Sequence, residues 1–297
     1  MKILITGANG MLGSTLTEQL LKTNHKILGT GKGILRCNHL IFNEISSYAT
    51  LDILNPNDIE DTVAKFQPDA IIHAAAMTQV DDCEQNKELC SRINTVASKQ
   101  LMAAAQKCGA SFYYISTDFV FSGEDGPYKE TDKTGPINFY GKSKLQTEEA
   151  LKESGMNWCI IRTVLLYGKT DHINRSNFIY WVRDNLLAKK PIKVVDDQIR
   201  TPTYIPDLVA GIIKAVELQA RGIYHISGSD TLTPYEMSIQ VADYLNLDKQ
   251  LISPVDASTF TQVGRRPQKT GFYINKAIQD LGYQPTEFKK ALKIIFE

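Results

Sequence analysis

Short apolar runs alternate with amphipathic stretches over the first 165 residues, the pattern of a chain that alternates strand and helix. Lys2-Ile3-Leu4-Ile5-Thr6 reads as a buried strand, and Leu12, Leu16, Leu20 and Leu21 recur behind it at helical spacing. His25 to Thr30 predicts a second strand. Asn55-Pro56-Asn57-Asp58 opens a helix, with Asn55 as cap, proline in the first turn and an acid at the positive end of the dipole. Ala70-Ile71-Ile72-His73-Ala74-Ala75-Ala76 is a buried strand that ends in small residues. Lys87 to Lys107 predicts one long helix whose inner face carries Leu89, Ile93, Val96, Ala97, Leu101 and Ala104, with Gly109 ending it. Phe112-Tyr113-Tyr114-Ile115 is the next strand.

Past Gly168 the alternation loosens. Asn177 to Lys189 is amphipathic, and Phe178, Trp181 and Val182 read as core. Lys193-Val194-Val195 is a short strand, Ile205 to Leu218 a helix lying back on the sheet, and Gly222 to Ile226 a strand. Thr233-Pro234-Tyr235-Glu236 is a capping box that starts a helix running to Leu245. Two short helices follow, near Lys276 and Phe288.

At 297 residues the chain can bury a large core. Its 33 basic and 33 acidic residues cancel, so no bulk field points to nucleic acid or an anionic membrane. No apolar run reaches the length of a membrane span, and the N-terminal apolar stretch is too short for a secretory signal. Cys37, Cys83, Cys90, Cys108 and Cys159 are odd in number and lack Cys-x-x-Cys spacing, and the histidines are scattered. They predict reduced thiols in a cytoplasmic protein, with neither disulfides nor a metal site.

Candidate chemistry starts at Gly7-Ala8-Asn9-Gly10-Met11-Leu12-Gly13, directly after the first strand and at the start of a helix. Such a loop lets a dinucleotide pyrophosphate approach backbone amides at a helix N-terminus. The second strand of these folds normally ends in an acid that binds the adenosine 2'-hydroxyl of NAD. No acid occurs between His25 and Asn43, whereas Lys32 and Arg36 do. They either pair with a 2'-phosphate, which favours NADPH over NADH, or are solvated loop cations. Asp52, followed by Ile53, sits where an acid reaches the adenine amino group, and Ala74, Ala75 and Ala76 would let a cofactor lie against their strand end. His73 reads as a satisfied core histidine.

Ser116-Thr117-Asp118 closes the Phe112–Ile115 strand at the edge where ligands bind in open α/β sheets. Thr117 is placed there to offer its hydroxyl to a substrate oxygen. Downstream, Tyr140 and Lys144 in Phe139-Tyr140-Gly141-Lys142-Ser143-Lys144 lie four apart, on one face of a helix. A free tyrosine has a pKa of about 10, and an ammonium beside it favours the phenolate, bringing the group towards neutral pH. A shift of about 3 units is about 4 kcal/mol of differential stabilisation.

The glycine loop, Ser116-Thr117-Asp118-Phe119-Val120-Phe121, Tyr140-Gly141-Lys142-Ser143-Lys144, Arg200-Thr201-Pro202-Thr203 and Arg265-Arg266-Pro267 together resemble the dTDP-4-dehydrorhamnose reductase family of extended short-chain dehydrogenase/reductases. The resemblance spans about the whole chain. It implies a Rossmann-type doubly wound parallel sheet over residues 1–165, rejoined by 203–228, and a smaller C-terminal α/β substrate domain from 166–202 and 229–297. It further implies a catalytic set of Thr117, Tyr140 and Lys144, with Thr163 completing the cofactor contacts. The implied substrate contacts are Thr78, Thr117, Asp118, Phe119, Leu165, Arg200, Arg265 and Arg266, with Arg200 and Arg265 or Arg266 clamping a nucleotide diphosphate. The implied partner is a nucleotide-sugar substrate whose 4-keto group is reduced, and a homodimer is left open. Leu165 stands where rhamnose-pathway members often carry Trp, and Phe119 where the family has Tyr, so the sugar pocket departs from the pattern. Two alternatives remain on the same scaffold. One is a sugar-nucleotide epimerase or dehydratase, although the Asp-Glu pair of related dehydratases is here Asp118-Phe119. The other is a non-catalytic regulatory subunit like the methionine adenosyltransferase beta subunit.

Overall fold

Seven parallel strands order the molecule, and they bring the carboxyl ends of the motif-bearing strands to one edge. The computed structural model describes residues 1–37, 40, 42–169 and 177–297; of the expected 166–202 segment, residues 170–176 lie outside this set. The chain runs β1 (Lys2–Thr6), α1 (Met11–Leu21), β2 (Lys26–Gly31), β3 (Ser47–Thr50), α2 (Pro56–Phe66) and β4 (Ala70–His73). Next come α3 (Val80–Gln85), α4 (Lys87–Ser91), α5 (Ala97–Lys107), β5 (Ser111–Thr117), α6 (Phe139–Glu153) and β6 (Trp158–Thr163). Then follow β7 (Leu166–Tyr167), α7 (Phe178–Leu187), β8 (Ile192–Val195), β9 (Thr203–Tyr204), α8 (Ile205–Glu217) and β10 (Gly222–His225). The chain closes with α9 (Pro234–Tyr244), β11 (Ile252–Val255), α10 (Asn275–Leu281) and α11 (Phe288–Phe296).

The sheet order is β10-β6-β5-β4-β1-β2-β3. The direction of winding reverses at β1, the place where open α/β sheets bind ligands. Register sets Thr6 beside His73 and Thr117 beside Thr163, so the ends of four strands line one edge. Alternate side chains face opposite ways. Ile3 and Ile5 pack in one core with Leu16 and Leu20 of α1 and Leu208 and Ile212 of α8, while Leu4 faces Ile59, Val63 and Leu101. A separate core gathers Tyr167, Ile179, Val182, Met237, Val241, Phe288 and Leu292. Segment 203–228 supplies α8 and the sheet's edge strand β10.

Local signals hold at several ends. The Asn55 side chain accepts from Asn57 N at 3.1 Å, Thr233 and Glu236 form the reciprocal capping box, and Gly109 has φ 73°. The long helix predicted from Lys87 to Lys107 is corrected, because a π turn, Arg92–Val96, interrupts it. Such a turn inserts a residue and rotates the buried stripe. Leu89 and Val96, expected inside, are 39% and 45% exposed, while Asn94 and Thr95 are buried. Trp181, also expected in the core, is 40% exposed and stacks on Phe178 at the surface end of α7. The short strands β3, β7, β9 and β11 carry too little periodicity to be read from sequence.

One buried charge pair sits under the strand ends. Arg162, in β6, donates to Glu148, in α6, through Nε at 3.0 Å and Nη2 at 2.7 Å. Ser116 Oγ donates to the same carboxylate at 2.5 Å, and the pair is 1% and 0% exposed. Removing one member leaves the other charge buried without its partner, which costs about 3–5 kcal/mol. Glu148→Leu should therefore lower the urea-unfolding free energy by about that amount; a loss below about 1 kcal/mol would contradict the assignment.

Candidate active site

The glycine loop packs its backbone too closely for side chains. Gly7 adopts φ 80°, and a Cβ there would lie 2.9 Å from Ala75 N; one on Gly13 would lie 2.1 Å from Gly7 O. Helix α1 starts at Met11 behind Gly10, with no side-chain cap and no acid in its first turn. Its first amides thus face the loop without side-chain competition, which suits an anion. Asn9 fastens the next loop to this one: Nδ2 donates to Ile34 O (3.1 Å) and Tyr48 Oη (2.9 Å), and Oδ1 accepts from Arg36 N (2.9 Å). Lys32 and Arg36 are exposed at the rim of this loop. Lys32 Nζ also reaches Asp52 Oδ2 at 3.1 Å. The Leu54 amide foremost, and Lys32 as well, hold Asp52 below the usual carboxylate range. Ile53 and Ala74, Ala75 and Ala76 are half-buried along the strand ends. These residues fit a dinucleotide carrying an extra phosphate near Lys32 and Arg36.

His73 is the satisfied core residue the sequence suggested. Its ring nitrogens meet Thr6 Oγ1 at 2.7 Å and Ser98 Oγ at 2.8 Å, and burial pushes its pKa down to about 3.

Helix α6 carries the Tyr-Lys pair, and Asn138 starts it by accepting from Gly141 N at 2.8 Å. Gly141 packs directly on the 3-10 turn Asp118–Val120, where a Cβ would lie 2.0 Å from Phe119 O. That contact sets Tyr140 beside Thr117 at the end of β5. Their neighbour Phe119 meets the Tyr140 ring edge-on at 6.1 Å. Lys144 is 3% exposed, with Nζ 4.1 Å from the centre of the Tyr114 ring. Burial lowers its pKa to about 7, against the opposing pull of Glu148. Tyr140 moves the other way from the sequence expectation. Burial raises its pKa, the neighbouring Thr117 hydroxyl lowers it, and Asp118 raises it further. The phenol is thus held protonated, the form a proton donor needs.

Two supporting residues escaped the sequence reading. Asn94, turned inward by the π turn, clamps the Met77 backbone, accepting from its N at 2.8 Å and donating to its O at 2.9 Å. It also donates to Ser143 Oγ at 3.0 Å, which in turn donates to Tyr140 O at 2.7 Å. Asn138 Nδ2 holds Arg265 O at 2.8 Å. Asn138 had a signal, an Asn just before a predicted helix; Asn94 had none, since a polar residue inside a helical stripe reads as surface.

The expected substrate residues separate into two groups. Thr117, Asp118 and Phe119 surround Tyr140, and Thr163 lies at the neighbouring strand end with its hydroxyl on Thr203 Oγ1 at 3.1 Å. Thr78 is exposed after β4, and Leu165 is 37% exposed at φ 22°. The Arg200 guanidinium is buried 5.7 Å from the Phe119 ring centre, and both its terminal nitrogens donate within the protein. Nη1 reaches Ile199 O and Gln268 O at 2.8 and 2.9 Å, and Nη2 reaches Gln198 Oε1 and Pro267 O at 3.0 and 2.7 Å. Arg266 forms a bidentate pair with Asp81, at 2.6 and 2.8 Å. Arg265 alone of the three is exposed.

A family model described as RmlD substrate binding domain matches residues 1–297. The solved structure of dTDP-4-dehydrorhamnose reductase from Bacillus anthracis, in complex with NADP, is similar with a TM-score of 0.84 and 30% identity, covering 99% of this chain and 98% of that one. Spore coat polysaccharide biosynthesis protein SpsK of Bacillus subtilis is 29% identical over 295 residues, 98% of this chain and 95% of that protein. Methionine adenosyltransferase 2 subunit beta of Bos taurus is 29% identical over 298 residues, 98% and 86% of the two chains.

The environment of Lys144 can be checked without any ligand. In a side-chain NMR titration its ammonium should lose its proton at about pH 7, while surface lysines titrate near ~10.4. Glu148→Gln, by removing the charge that supports the ammonium, should move the midpoint lower still. A Lys144 midpoint among those of the surface lysines would contradict this picture.

Proposed function

We propose that this chain, which belongs to the RmlD substrate binding domain family, is an NADPH-dependent reductase of the 4-keto group of a nucleotide-linked deoxysugar. The conversion is dTDP-4-dehydro-L-rhamnose to dTDP-L-rhamnose or a close relative. One observation carries the reading: the first turns of α6 bring Tyr140 and the buried Lys144 to the end of β5 that carries Thr117, at the sheet edge that also holds the glycine loop.

The glycine loop residues Gly7, Asn9, Gly10, Met11, Leu12 and Gly13 would hold the pyrophosphate, Lys32 and Arg36 the 2'-phosphate, and Asp52 the adenine, with Ile53, Ala74, Ala75, Ala76 and Thr163 beside the cofactor. NADH, lacking that phosphate, would bind more weakly. When bound, the nicotinamide supplies the hydride. Tyr140 gives its proton to the carbonyl oxygen as that oxygen gains charge. Thr117 would offer its hydroxyl to the same developing alkoxide. Lys144 would hold the nicotinamide ribose, and burial lowers its basicity. Arg265, exposed and anchored through its own carbonyl to Asn138, is the arginine left to meet a substrate diphosphate.

Among the described residues no helix is long and apolar enough to cross a membrane, and we place the protein in the cytoplasm with a nucleotide sugar as its partner. Full-length similarity to methionine adenosyltransferase 2 subunit beta favours a second reading, a non-catalytic NADP-binding regulatory subunit. The Asp118-Phe119 sequence, with no acid after Asp118, supports neither a dehydratase nor an acid-base pair of that kind.

Tyr140→Phe separates binding from chemistry. By fluorescence titration both it and the wild-type protein should bind NADPH with equal affinity, and more tightly than NADH. Its turnover should fall by about 10²–10⁴-fold, the usual worth of a positioned proton donor. Normal turnover in Tyr140→Phe would remove the residue from the mechanism, and equal affinities for the two cofactors would remove Lys32 and Arg36 from selectivity.

A further inference from the structure

Alternation along β5 turns Phe112, Tyr114 and Ser116 to one face of the sheet. Helix α6 lays Lys144, Glu148 and Leu151 against that face, one turn after another. Phe112, Tyr114 and Leu151 share a core, and Ser116 Oγ bonds Glu148. The remaining pair is Tyr114 and Lys144, with Nζ 4.1 Å from the centre of the ring. The Tyr114 hydroxyl is buried without a hydrogen-bond partner among the described residues. An unpaired buried hydroxyl costs stability that a phenylalanine would not. What this position offers its surroundings is therefore the ring.

Two groups lie against that ring. His73 stacks on it with centroids 5.9 Å apart and planes 27° from parallel. Both His73 nitrogens are taken by the Thr6 and Ser98 hydroxyls, and burial holds the imidazole neutral. The other group is the Lys144 ammonium. The face of an aromatic ring attracts a cation within about 6 Å of its centre, most strongly where water is excluded. Lys144 is 3% exposed and Tyr114 0%. An ammonium has three N–H donors, and among the described residues none of them is given to an oxygen of the protein. The ring thus holds the charge without using a donor.

Resting on the reductase reading, we propose that Tyr114 is a positioning residue for the reduction: its ring face seats the Lys144 ammonium and leaves the N–H bonds free for the nicotinamide ribose. Tyr114 is fully buried, touches neither cofactor nor substrate, and acts through Lys144. The same contact supports a charge that burial opposes. The other groups that face Lys144 are Glu148 and Tyr140 from its own helix, Cys90 from α4, Cys83 from α3 and the neutral His73 from β4. Glu148 supports the ammonium, and the two thiols do so to the extent that they ionise. All of these remain when the ring is changed. Loss of the ring must therefore lower the basicity of Lys144 further.

Tyr114→Phe keeps the ring, and the same ring carrying two and then three fluorines keeps the shape while its face loses negative charge. Tyr114→Leu removes the ring. In side-chain NMR, which needs no substrate, the Lys144 midpoint should hold its wild-type position in Tyr114→Phe and step to lower pH as fluorines are added. In Tyr114→Leu it should fall by about one pH unit. NADPH at neutral pH should bind Tyr114→Leu about fivefold more weakly than Tyr114→Phe, as the charged fraction of Lys144 drops. On a nucleotide-linked 4-keto sugar, the alkaline limb of the pH profile should move to lower pH in the same order, because activity is lost as Lys144 gives up its proton. A purely packing role would leave the fluorinated rings with the wild-type midpoint. An unchanged midpoint across the fluorine series would overturn this inference alone, as would a Tyr114→Phe midpoint as low as that of Tyr114→Leu. A wild-type protein that binds NADPH and reduces no nucleotide-linked keto sugar would overturn the reductase reading itself, whatever the lysine titration shows.

Discussion

The site depends on one close contact between two backbones. At Gly141 the first turn of α6 lies against Phe119 O so tightly that a Cβ would come within 2.0 Å of it. That contact sets Tyr140, in the helix, beside Thr117, at the end of β5. Everything nearby reinforces it. Asn138 caps the helix start, Glu84 Oε1 accepts from Phe139 N at 2.7 Å, and the Thr95 hydroxyl donates to Ser143 O at 3.1 Å from the other side. Any side chain larger than hydrogen at position 141 would push α6 off the Asp118–Val120 turn by moving backbone rather than a flexible chain end.

Burial gives the same small region its electrostatics. Lys144 loses basicity in the core and Tyr140 loses acidity, so their values move apart. Glu148 links this pair to the core: it supports the Lys144 charge and forms the buried bridge to Arg162. The structure thus joins fold stability and proton chemistry through one carboxylate. A lysine that simply lowers its neighbour's pKa is too simple for this arrangement. Burial makes its own charge conditional, and Glu148 supports it.

Much of the fold was legible because its signals are local. The run at Lys2–Thr6, the glycine loop, the cap at Asn55 and the box at Thr233 each need only a few consecutive residues to make their point. The Tyr140–Lys144 spacing likewise declares a shared helix face. What sequence could not reveal depends on distant partners. The π turn at Arg92–Val96 exists where Asn94 reaches Met77 and Ser143, and helical periodicity alone predicts an uninterrupted stripe. Arg200 looked like a phosphate clamp until its acceptors, two of the four on the 267–268 segment, were in view. The Thr270–Asp118 bond joins residues far apart in the chain, and neither is conspicuous in isolation.

The account reduces to a claim about hydride and proton delivery at one carbon, and an isotope follows it there. NADPH carrying deuterium at the transferred position of nicotinamide C4 would be incubated with the protein and dTDP-4-dehydrorhamnose, and the nucleotide-sugar product analysed by mass spectrometry and NMR. The prediction is one deuterium at sugar C4 for each cofactor oxidised, with no transfer to the same sugar lacking its nucleotide diphosphate. A folded protein that binds NADPH yet leaves sugar C4 free of deuterium, with this compound and with other nucleotide-linked 4-keto-6-deoxysugars, would contradict the account.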